Sequence, residues 1–503
     1  MIEPPHPSSL ISIRTIVLVF GLIGGVAALL SPLPEGLSEE ARRAAVIGAI
    51  MALLWVTEAL PLAVTAMIPL AAFPLARVAE IENVSRAYSH PIVFLFLGGF
   101  ILAAAMQRWR LDRRLSLIGL RLAGPRPDLQ ILSMMAATAF LSMWISNTAT
   151  AMVMMPIGLA MLGADQSANG PLLAPDLKTP ANEVGAVEAG TFGTAMMLGI
   201  AFAATIGGMG SLIGTPPNAL FAAFVERTYD VSIGFGQWML LGIPIVILLL
   251  PITWMLLTRV VFHLPPRTTF AVSEREKLPA MSTGQRILAI VLALTAFAWV
   301  SRPYLAARLG LPGLSDAGIA VTAALTLFVL PADKCFSRPL LTWDEVKSIR
   351  WDVLILFGGG LALADAIRET GLADWIGGGA AQLSNVPVVA LILIMMVLIV
   401  YLGELASNTA MAAVFLPVAA AAAAGLGAEP LSILVPVALA ASLGFMLPVA
   451  TPPNAIVYGS GAVSAQDMLR AGAILDVISI VLVFILATTL GPIVFELNGA
   501  AHP

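Results

Sequence analysis

Ser146-Asn147-Thr148 followed by Thr215-Pro216-Pro217-Asn218 recurs later in the chain as Ser407-Asn408-Thr409 followed by Thr451-Pro452-Pro453-Asn454. Polar triplets and paired prolines are foreign to their surroundings, since 59% of the residues are hydrophobic, 11% are charged and the mean hydropathy is +0.94. Such a chain has too little polar surface to cover a water-soluble globule. It reads as an all-α polytopic membrane protein in which two copies of one motif pair build a single binding site from two halves.

Working outward, apolar stretches at 237–261, 287–301, 315–331 and 471–495 approach or exceed the ~20 residues of a spanning helix. Abundant Ala, Leu, Gly and Met without strict alternation favour helices over a barrel. The first apolar stretch, 16–30, has no small-residue cleavage pattern and reads as a retained helix, not a signal peptide. The net charge of −4 says little. A single cysteine, Cys335, excludes an internal disulfide and a thiolate metal cluster.

Basic residues set the expected orientation. Arg108, Arg110, Arg113, Arg114, Arg121 and Arg126 crowd one connection, Arg259, Arg267, Arg275, Lys277 and Arg286 a second, and Lys334, Arg338, Lys347 and Arg350 a third. These are expected on the cytoplasmic side of the inner membrane. The N-terminus then lies inside and the C-terminus outside. Stretch 107–126 is either a solvated loop or, from the spacing of Trp109, Leu111, Leu115, Ile118 and Leu122, an amphipathic helix at the membrane interface.

The repeat extends beyond its motifs. An offset of 261 residues carries Ser146, Asn147, Thr148 and Pro156 onto Ser407, Asn408, Thr409 and Pro417. Upstream, Gly98-Gly99 matches Gly358-Gly359 at 260, which implies a one-residue gap. Thr215 and Thr451 are 236 apart because the first half carries an extra polar segment at about 164–190, read as a loop. With one copy entering from each side, as the charge bias implies, these are inverted repeats of the kind that form transporter sites near the bilayer midplane.

The motifs have physical reasons to sit there. Apolar arms at 131–145 and 149–162, and at 388–402 and 410–424, are short for full spans and suit re-entrant hairpins tipped by the triplets. A tip exposes free backbone N–H groups at the start of its second arm, a place for a carboxylate, while Asn147 and Asn408 can offer amide oxygens to a cation. Pro216-Pro217 would strip helical partners from the carbonyls of Leu212 and Ile213, and Pro452-Pro453 from those of Pro448 and Val449. Freed carbonyls in a membrane suit a hard cation such as sodium.

These residues resemble the divalent anion:sodium symporters, the family of the sodium-coupled dicarboxylate and citrate transporters of the INDY type. The resemblance runs from Trp55-Val56-Thr57-Glu58-Ala59-Leu60-Pro61-Leu62 through Ser146-Asn147-Thr148-Ala149-Thr150-Ala151-Met152 and Leu212-Ile213-Gly214-Thr215-Pro216-Pro217-Asn218 to Leu447-Pro448-Val449-Ala450-Thr451-Pro452-Pro453-Asn454. It implies about 11 transmembrane helices plus two re-entrant hairpins, a homodimer, and a scaffold within which a transport domain moves as an elevator. Scaffold spans would occupy 1–91 and 237–350, transport elements 92–236 and 351–470, and a last helix and tail 471–503. It further implies a first sodium site at Ser142, Ser146, Asn147 and Gly214, and a second at Gly403, Ala406, Asn408 and Ala450. Substrate carboxylates would meet Asn147, Thr148, Ser407, Asn408 and Thr409, with Thr215-Pro216 and Thr451-Pro452 in the wall. Members of the family often carry a hydroxyl where Gly403 stands, so this second site departs from the pattern.

The expected function is therefore sodium-coupled symport of a dicarboxylate into the cell. Two triplets able to hold one carboxylate each favour C4-dicarboxylates such as succinate. The rivals on the same fold are a sodium-independent dicarboxylate exchanger and a sulfate or citrate carrier. Co-bound Na+ would neutralise a dianion that no basic residue beside the triplets can neutralise. Glu404, inside the second hairpin, is read either as a proton-coupling group or as a brace for the tip; Glu58 and Asp476, near expected span ends, are expected to meet polar partners or water. An enzyme is not expected, because His6, His90, His263 and His502 lie at termini or span ends away from Ser146 and Ser407. A channel could share the broken helices, but duplicated polar tips suit one occluded site. Dicarboxylate, sodium and membrane lipid are the expected partners, with no nucleic acid.

Overall fold

The computed structural model describes residues 13–123, 126–166, 183–264, 280–333, 338–347, 349–383 and 385–495. Cys335, Arg267, Arg275, Lys277, Lys334, His6, His502 and most of segment 164–190 lie outside the described residues. Helices carry the structure. Among the described residues the only β pairing is an isolated bridge between Pro331 and Pro339.

Helix α1 (Ile13–Leu30) precedes two matching series. The first comprises α2 (Glu39–Thr57), α3 (Leu62–Ala66), α4 (Ile68–Leu75), α5 (Ile81–Tyr88), α6 (Pro91–Arg108), α7 (Leu111–Ala123), the hairpin α8 (Pro127–Ser142) and α9 (Asn147–Gln166), the broken pair α10 (Glu183–Gly208) and α11 (Pro216–Tyr229), and α12 (Phe235–Met255). α12 continues as a π-helix over Leu256–Val261. The second comprises α13 (Thr283–Leu309), α14 (Asp316–Val329), α15 (Trp343–Val346), α16 (Trp351–Glu369), α17 (Leu372–Ala381), the hairpin α18 (Val388–Gly403) and α19 (Asn408–Leu426), the broken pair α20 (Pro430–Ala440) and α21 (Pro452–Gly459), and α22 (Ala465–Thr489); α23 (Gly491–Val494) follows. Among the described residues, six helical stretches are long and apolar enough to cross a membrane. The expected amphipathic helix forms as α7, with Trp109 just ahead of it.

The register of the repeat is tighter than the sequence comparison suggests. α8 and α18 begin and end 261 residues apart, as do the starts of α7 and α17 and of α9 and α19. Arg110 (φ 51°) and Gly371 (φ 78°), also 261 apart, are both left-handed and turn the chain between α6 and α7 and between α16 and α17. The one-residue gap disappears. A Cβ on Gly98 would lie 2.6 Å from the Ala320 backbone, and one on Gly359 would lie 2.4 Å from the Ala66 carbonyl. Gly98-Gly99 thus corresponds to Gly359-Gly360 at the common offset. The run of three glycines at 358–360 made the residue-by-residue match ambiguous, and only the close helix crossing resolves it.

The two halves interlock crosswise. α9 packs against α21 and α11 against α19, so each half-helix that follows a break lies on the hairpin of the other repeat. α6 packs on α14, α16 on α3 and α5, and α12 on α8, α10 and α22. Small residues permit the approach, as where Gly377 meets Gly425 between α17 and α19.

The arginine-rich connection is tied down. Arg108 and Arg338 both bind the Glu345 carboxylate and lie over the Trp109 ring, at 5.7 and 6.0 Å from its centroid. The Trp109 indole donates to the Leu340 carbonyl at 2.9 Å. Burial pushes the Glu345 carboxyl up, but hydrogen bonds from Arg108, Thr342 and Arg338 outweigh it and hold the group at about 2. A depressed carboxyl contributes stability above its unfolded value of 4.5, and that contribution is lost as pH falls toward about 2. Glu345→Gln is therefore expected to lower the melting temperature of the detergent-solubilised protein by about 2 °C at pH 7. The gap to the parent should close below pH 4.5; a gap independent of pH would rule out the ionic contribution.

Candidate functional site

Ser142 ends α8 and Asn147 begins α9, so the first hairpin tip is the four residues 143–146. The Ser142 hydroxyl lies 2.7 Å from both the Asn147 amide and the Ala204 carbonyl. In the amide orientation that satisfies both of its ends, the Asn147 nitrogen donates to Ser142 Oγ at 2.7 Å, the Ala204 carbonyl at 3.0 Å and the Gly214 carbonyl at 3.2 Å. Three oxygens from the first arm, α10 and the break thus converge on one point where a positive partner is favoured. A sodium ion there would be met by the same oxygens and, with the amide turned over, by Asn147 Oδ1. Glycine is required beside it: a Cβ on Gly208 would stand 2.3 Å from Asn147 Oδ1, and one on Gly214 2.4 Å from the Gly208 carbonyl. Ser142, Asn147 and Gly214 are therefore brought together. Ser146 sits at the start of α9, its hydroxyl accepting from Ala149 N–H at 3.3 Å.

The second tip repeats the backbone with different side chains. Asn408 begins α19, and its Oδ1 is buried with no hydrogen-bond donor, an acceptor that fits a cation. A Cβ on Gly403 would meet only Met411 Cγ at 3.8 Å and the Leu443 carbonyl at 3.9 Å, so the place of a hydroxyl side chain is open. Ala406 is buried, and Ala450 lies beside Gly444, whose added Cβ would be 3.5 Å from it. Glu404 acts as a brace: Oε1 accepts from Phe445 N–H at 2.7 Å and Met446 N–H at 3.0 Å, and Oε2 from Leu447 N–H at 2.8 Å. At the matching position of the first tip stands Met143. There the brace runs the other way, from Ser211 in the break, whose hydroxyl donates to the Met143 carbonyl at 2.5 Å and accepts from Gly214 N–H at 3.1 Å.

The prolines do not break a helix in the manner expected. α10 ends at Gly208 and α20 at Ala440, so Leu212, Ile213, Pro448 and Val449 lie in irregular segments outside any helix. Pro216-Pro217 and Pro452-Pro453 open the next half-helices, where a missing N–H costs nothing. Other carbonyls, at the end of α10 and within the breaks, are held by the asparagines of the same motifs. Asn218 Nδ2 donates to Ser211 O at 2.8 Å and Gly208 O at 3.2 Å, and Asn454 Nδ2 to Leu447 O at 3.0 Å.

Four helices, α9, α11, α19 and α21, therefore begin at the four motifs and present N-terminal N–H groups there. Thr148 and Ser407 are half-buried, Thr409, Thr215 and Thr451 buried, Pro216 half-buried and Pro452 exposed. Ala204, Gly208, Ser211, Asn218 and Asn454 shape the site without having been singled out for it. For the last two the signal was present, because each closes a Thr-Pro-Pro-Asn motif.

Two acids differ in their fate. Glu58 is exposed at the C-terminus of α2, as expected. Asp476 is fully buried in the middle of α22. The helix starts at Ala465, capped by Ser464 on Asp467 N–H at 3.1 Å, before the apolar run begins, which carries Asp476 inward from the expected span end. His90 caps α6, its Nδ1 accepting from Ile92 N–H at 3.3 Å.

Comparison with known proteins gives the following. A family model described as the sodium:sulfate symporter transmembrane region matches residues 12–497. A sodium-dependent dicarboxylate transporter, SdcS, of Staphylococcus saprophyticus is 36% identical over 488 residues, covering 96% of this chain and 92% of that protein. SdcS of Staphylococcus aureus strain USA300 is 37% identical over 451 residues, covering 88% and 85%. The crystal structure of the YdaH transporter of Alcanivorax borkumensis superposes with a TM-score of 0.52 at 14% identity, covering 80% of this chain and 85% of that one, a likeness of fold alone.

Proposed function

Because the chain belongs to the sodium:sulfate symporter family, the divalent anion:sodium symporters, we propose that it carries C4-dicarboxylates, succinate foremost, into the cell by sodium-coupled symport. It is a multi-pass membrane protein of a transporter family. The observation that carries the reading is the convergence of Ser142 Oγ and the Ala204 and Gly214 carbonyls on the Asn147 amide. The unpartnered Asn408 Oδ1 stands at the equivalent place in the other repeat. Relatives named as sodium-dependent dicarboxylate transporters support both the ion and the substrate class.

In this reading sodium binds first at Ser142, Ser146, Asn147 and Gly214, and at Gly403, Ala406, Asn408 and Ala450. It orders both tips and offsets the charge of the dianion. One carboxylate then meets Asn147 and Thr148 and the other Ser407, Asn408 and Thr409, between the walls formed by Thr215-Pro216 and Thr451-Pro452. Ion and substrate each raise the affinity for the other. The hairpins, α10, α11, α20 and α21 move together as an elevator. The packing of α12 against α8, α10 and α22 supports counting it with the moving part, and that of α6 and α16 on α14, α3 and α5 supports counting those two with the scaffold. This grouping is an alternative to the division at residues 91 and 236. The protein is a homodimer of the inner membrane with its N-terminus in the cytoplasm and its C-terminus outside.

The test is uptake of labelled succinate into proteoliposomes, empty or preloaded, with and without an inward sodium gradient. Sodium-requiring uptake into empty vesicles is expected. Uptake that ignores sodium and requires preloading would identify an exchanger, and competition by sulfate in place of succinate would change the substrate. Gly403→Ser should lower the sodium concentration for half-maximal uptake several-fold, since the backbone leaves room for the hydroxyl that Ser142 supplies in the first repeat. An unchanged sodium requirement would remove Gly403 from the ion site.

A further inference from the structure

We propose that Asp476, Ser479 and Ser442 form an additional sodium site behind the second hairpin, separate from the two at the tips. The inference rests on the sodium-coupled reading above. Asp476 and Ser479 lie a turn apart on α22 and are fully buried, and Ser442 lies buried just past the end of α20, against which α22 packs. Neither carboxylate oxygen of Asp476 has a hydrogen bond of ordinary geometry, the neighbouring Phe445 N–H being taken by Glu404 Oε1, and the hydroxyls of Ser479 and Ser442 have no hydrogen-bond partner. Four oxygens in this condition at the core of a membrane protein point to a ligand that supplies positive charge.

The surroundings exclude a charge of the protein's own. Gly472 lets α22 touch the second break, where an added Cβ would collide with the Phe445 carbonyl. Asp476 thus faces Phe445 and the Glu404 carboxyl. Glu404 is a like charge already committed to three N–H groups. α12, α18, α20 and the break 441–451 contain no Lys, Arg or His. Arg470 on α22 is exposed, and Arg259 on the adjoining π-helix is exposed and lies 3.7 Å from Asp128. Asp467 on α22 takes the Ser464 hydroxyl at 2.6 Å. A mobile cation must therefore offset Asp476. A proton shared with Glu404 would leave both serine hydroxyls without partners; a hard metal cation uses carboxylate and hydroxyl oxygens together. Sodium is the cation of that kind already assigned to this protein. Through Glu404, its binding would stiffen the break that holds the second tip.

The experiment measures sodium ions moved per succinate, from reversal potentials in proteoliposomes, for the parent protein and Asp476→Asn. It is paired with sodium-induced thermal stabilisation of detergent-solubilised protein without dicarboxylate, for the parent and Ser479→Ala. The parent should move one more sodium per succinate than Asp476→Asn, and Ser479→Ala should raise the half-saturating sodium about tenfold, equivalent to about 1.4 kcal/mol. Identical sodium counts in parent and Asp476→Asn would overturn the site. So would a parent reversal potential that follows the pH gradient and loses this response in Asp476→Asn, since Asp476 would then carry a proton. If Asp476→Asn fails to fold, an unchanged sodium half-saturation in Ser479→Ala overturns the site on its own. Uptake with no sodium requirement in the parent sinks the symport reading, whereas sodium-driven uptake with an unaltered count in Asp476→Asn sinks only this site.

Discussion

Asn147→Ala is expected to raise the sodium concentration for half-maximal succinate uptake about a hundredfold, equivalent to about 2.7 kcal/mol. The Asn147 amide contacts Ser142 Oγ and both the Ala204 and Gly214 carbonyls. Alanine removes the proposed ion ligand and leaves the Gly214 carbonyl without its donor, so lost coordination and an orphaned acceptor act in the same direction. It also leaves a smaller residue at the start of α9, where a substrate carboxylate would be received. The check is a sodium titration of uptake together with sodium-induced thermal stabilisation without substrate. If the sodium half-saturation stays put while only the succinate requirement rises, Asn147 serves the anion alone and the first ion site must be reassigned.

The second large effect is expected from Glu404→Gln, which preserves shape and alters only charge and donor pattern. The carboxylate accepts three backbone N–H groups, two on Oε1 and one on Oε2. A glutamine can keep its oxygen toward Phe445 and Met446, but its NH2 then confronts the Leu447 N–H, donor against donor. Losing one charge-assisted hydrogen bond and burying two opposed donors costs roughly 3 kcal/mol or more. The break from 441 to 451 should loosen, uptake should fall at least about tenfold, and the melting temperature should drop by several degrees. Uptake in Glu404→Gln that matches the parent at every pH from 6 to 8 would show that the brace is dispensable. Loss of activity with unaltered stability, together with loss of the parent's pH dependence, would favour the proton-coupling alternative.

What could be read from the sequence follows from contrast. Ser146-Asn147-Thr148 and Ser407-Asn408-Thr409 stand out against apolar arms, and the hairpins form where those triplets placed them, with α8 and α18 matching residue for residue. The breaks were visible for the same reason, but their chemistry was not. Reading Pro216 and Pro452 as interruptions of a continuous helix gave the wrong cause for the break. The chain in fact leaves the helix earlier and uses the prolines to start the next one. Asp476 was misplaced because an apolar run marks lipid-facing length and does not mark where a capped helix begins. Ser211 carries no signature at all: a serine among Gly208, Gly210 and Gly214 looks like loop filler until its hydroxyl is seen to hold the Met143 carbonyl.

The opposed direction of the two braces has an evolutionary consequence. If both halves descend from one copied segment, the backbone has kept the memory of that event while the fastening has migrated, to Ser211 in the break of one half and to Glu404 in the tip of the other. Such a difference is entrenched. A first-half hairpin grafted into the second half would bring Met143 to a break that has Leu447 where Ser211 stands, and nothing would fasten it. The reverse graft would set a carboxylate beside a place already fastened by a hydroxyl. The two halves are thus no longer interchangeable parts, and a chimera would need tip and break exchanged together.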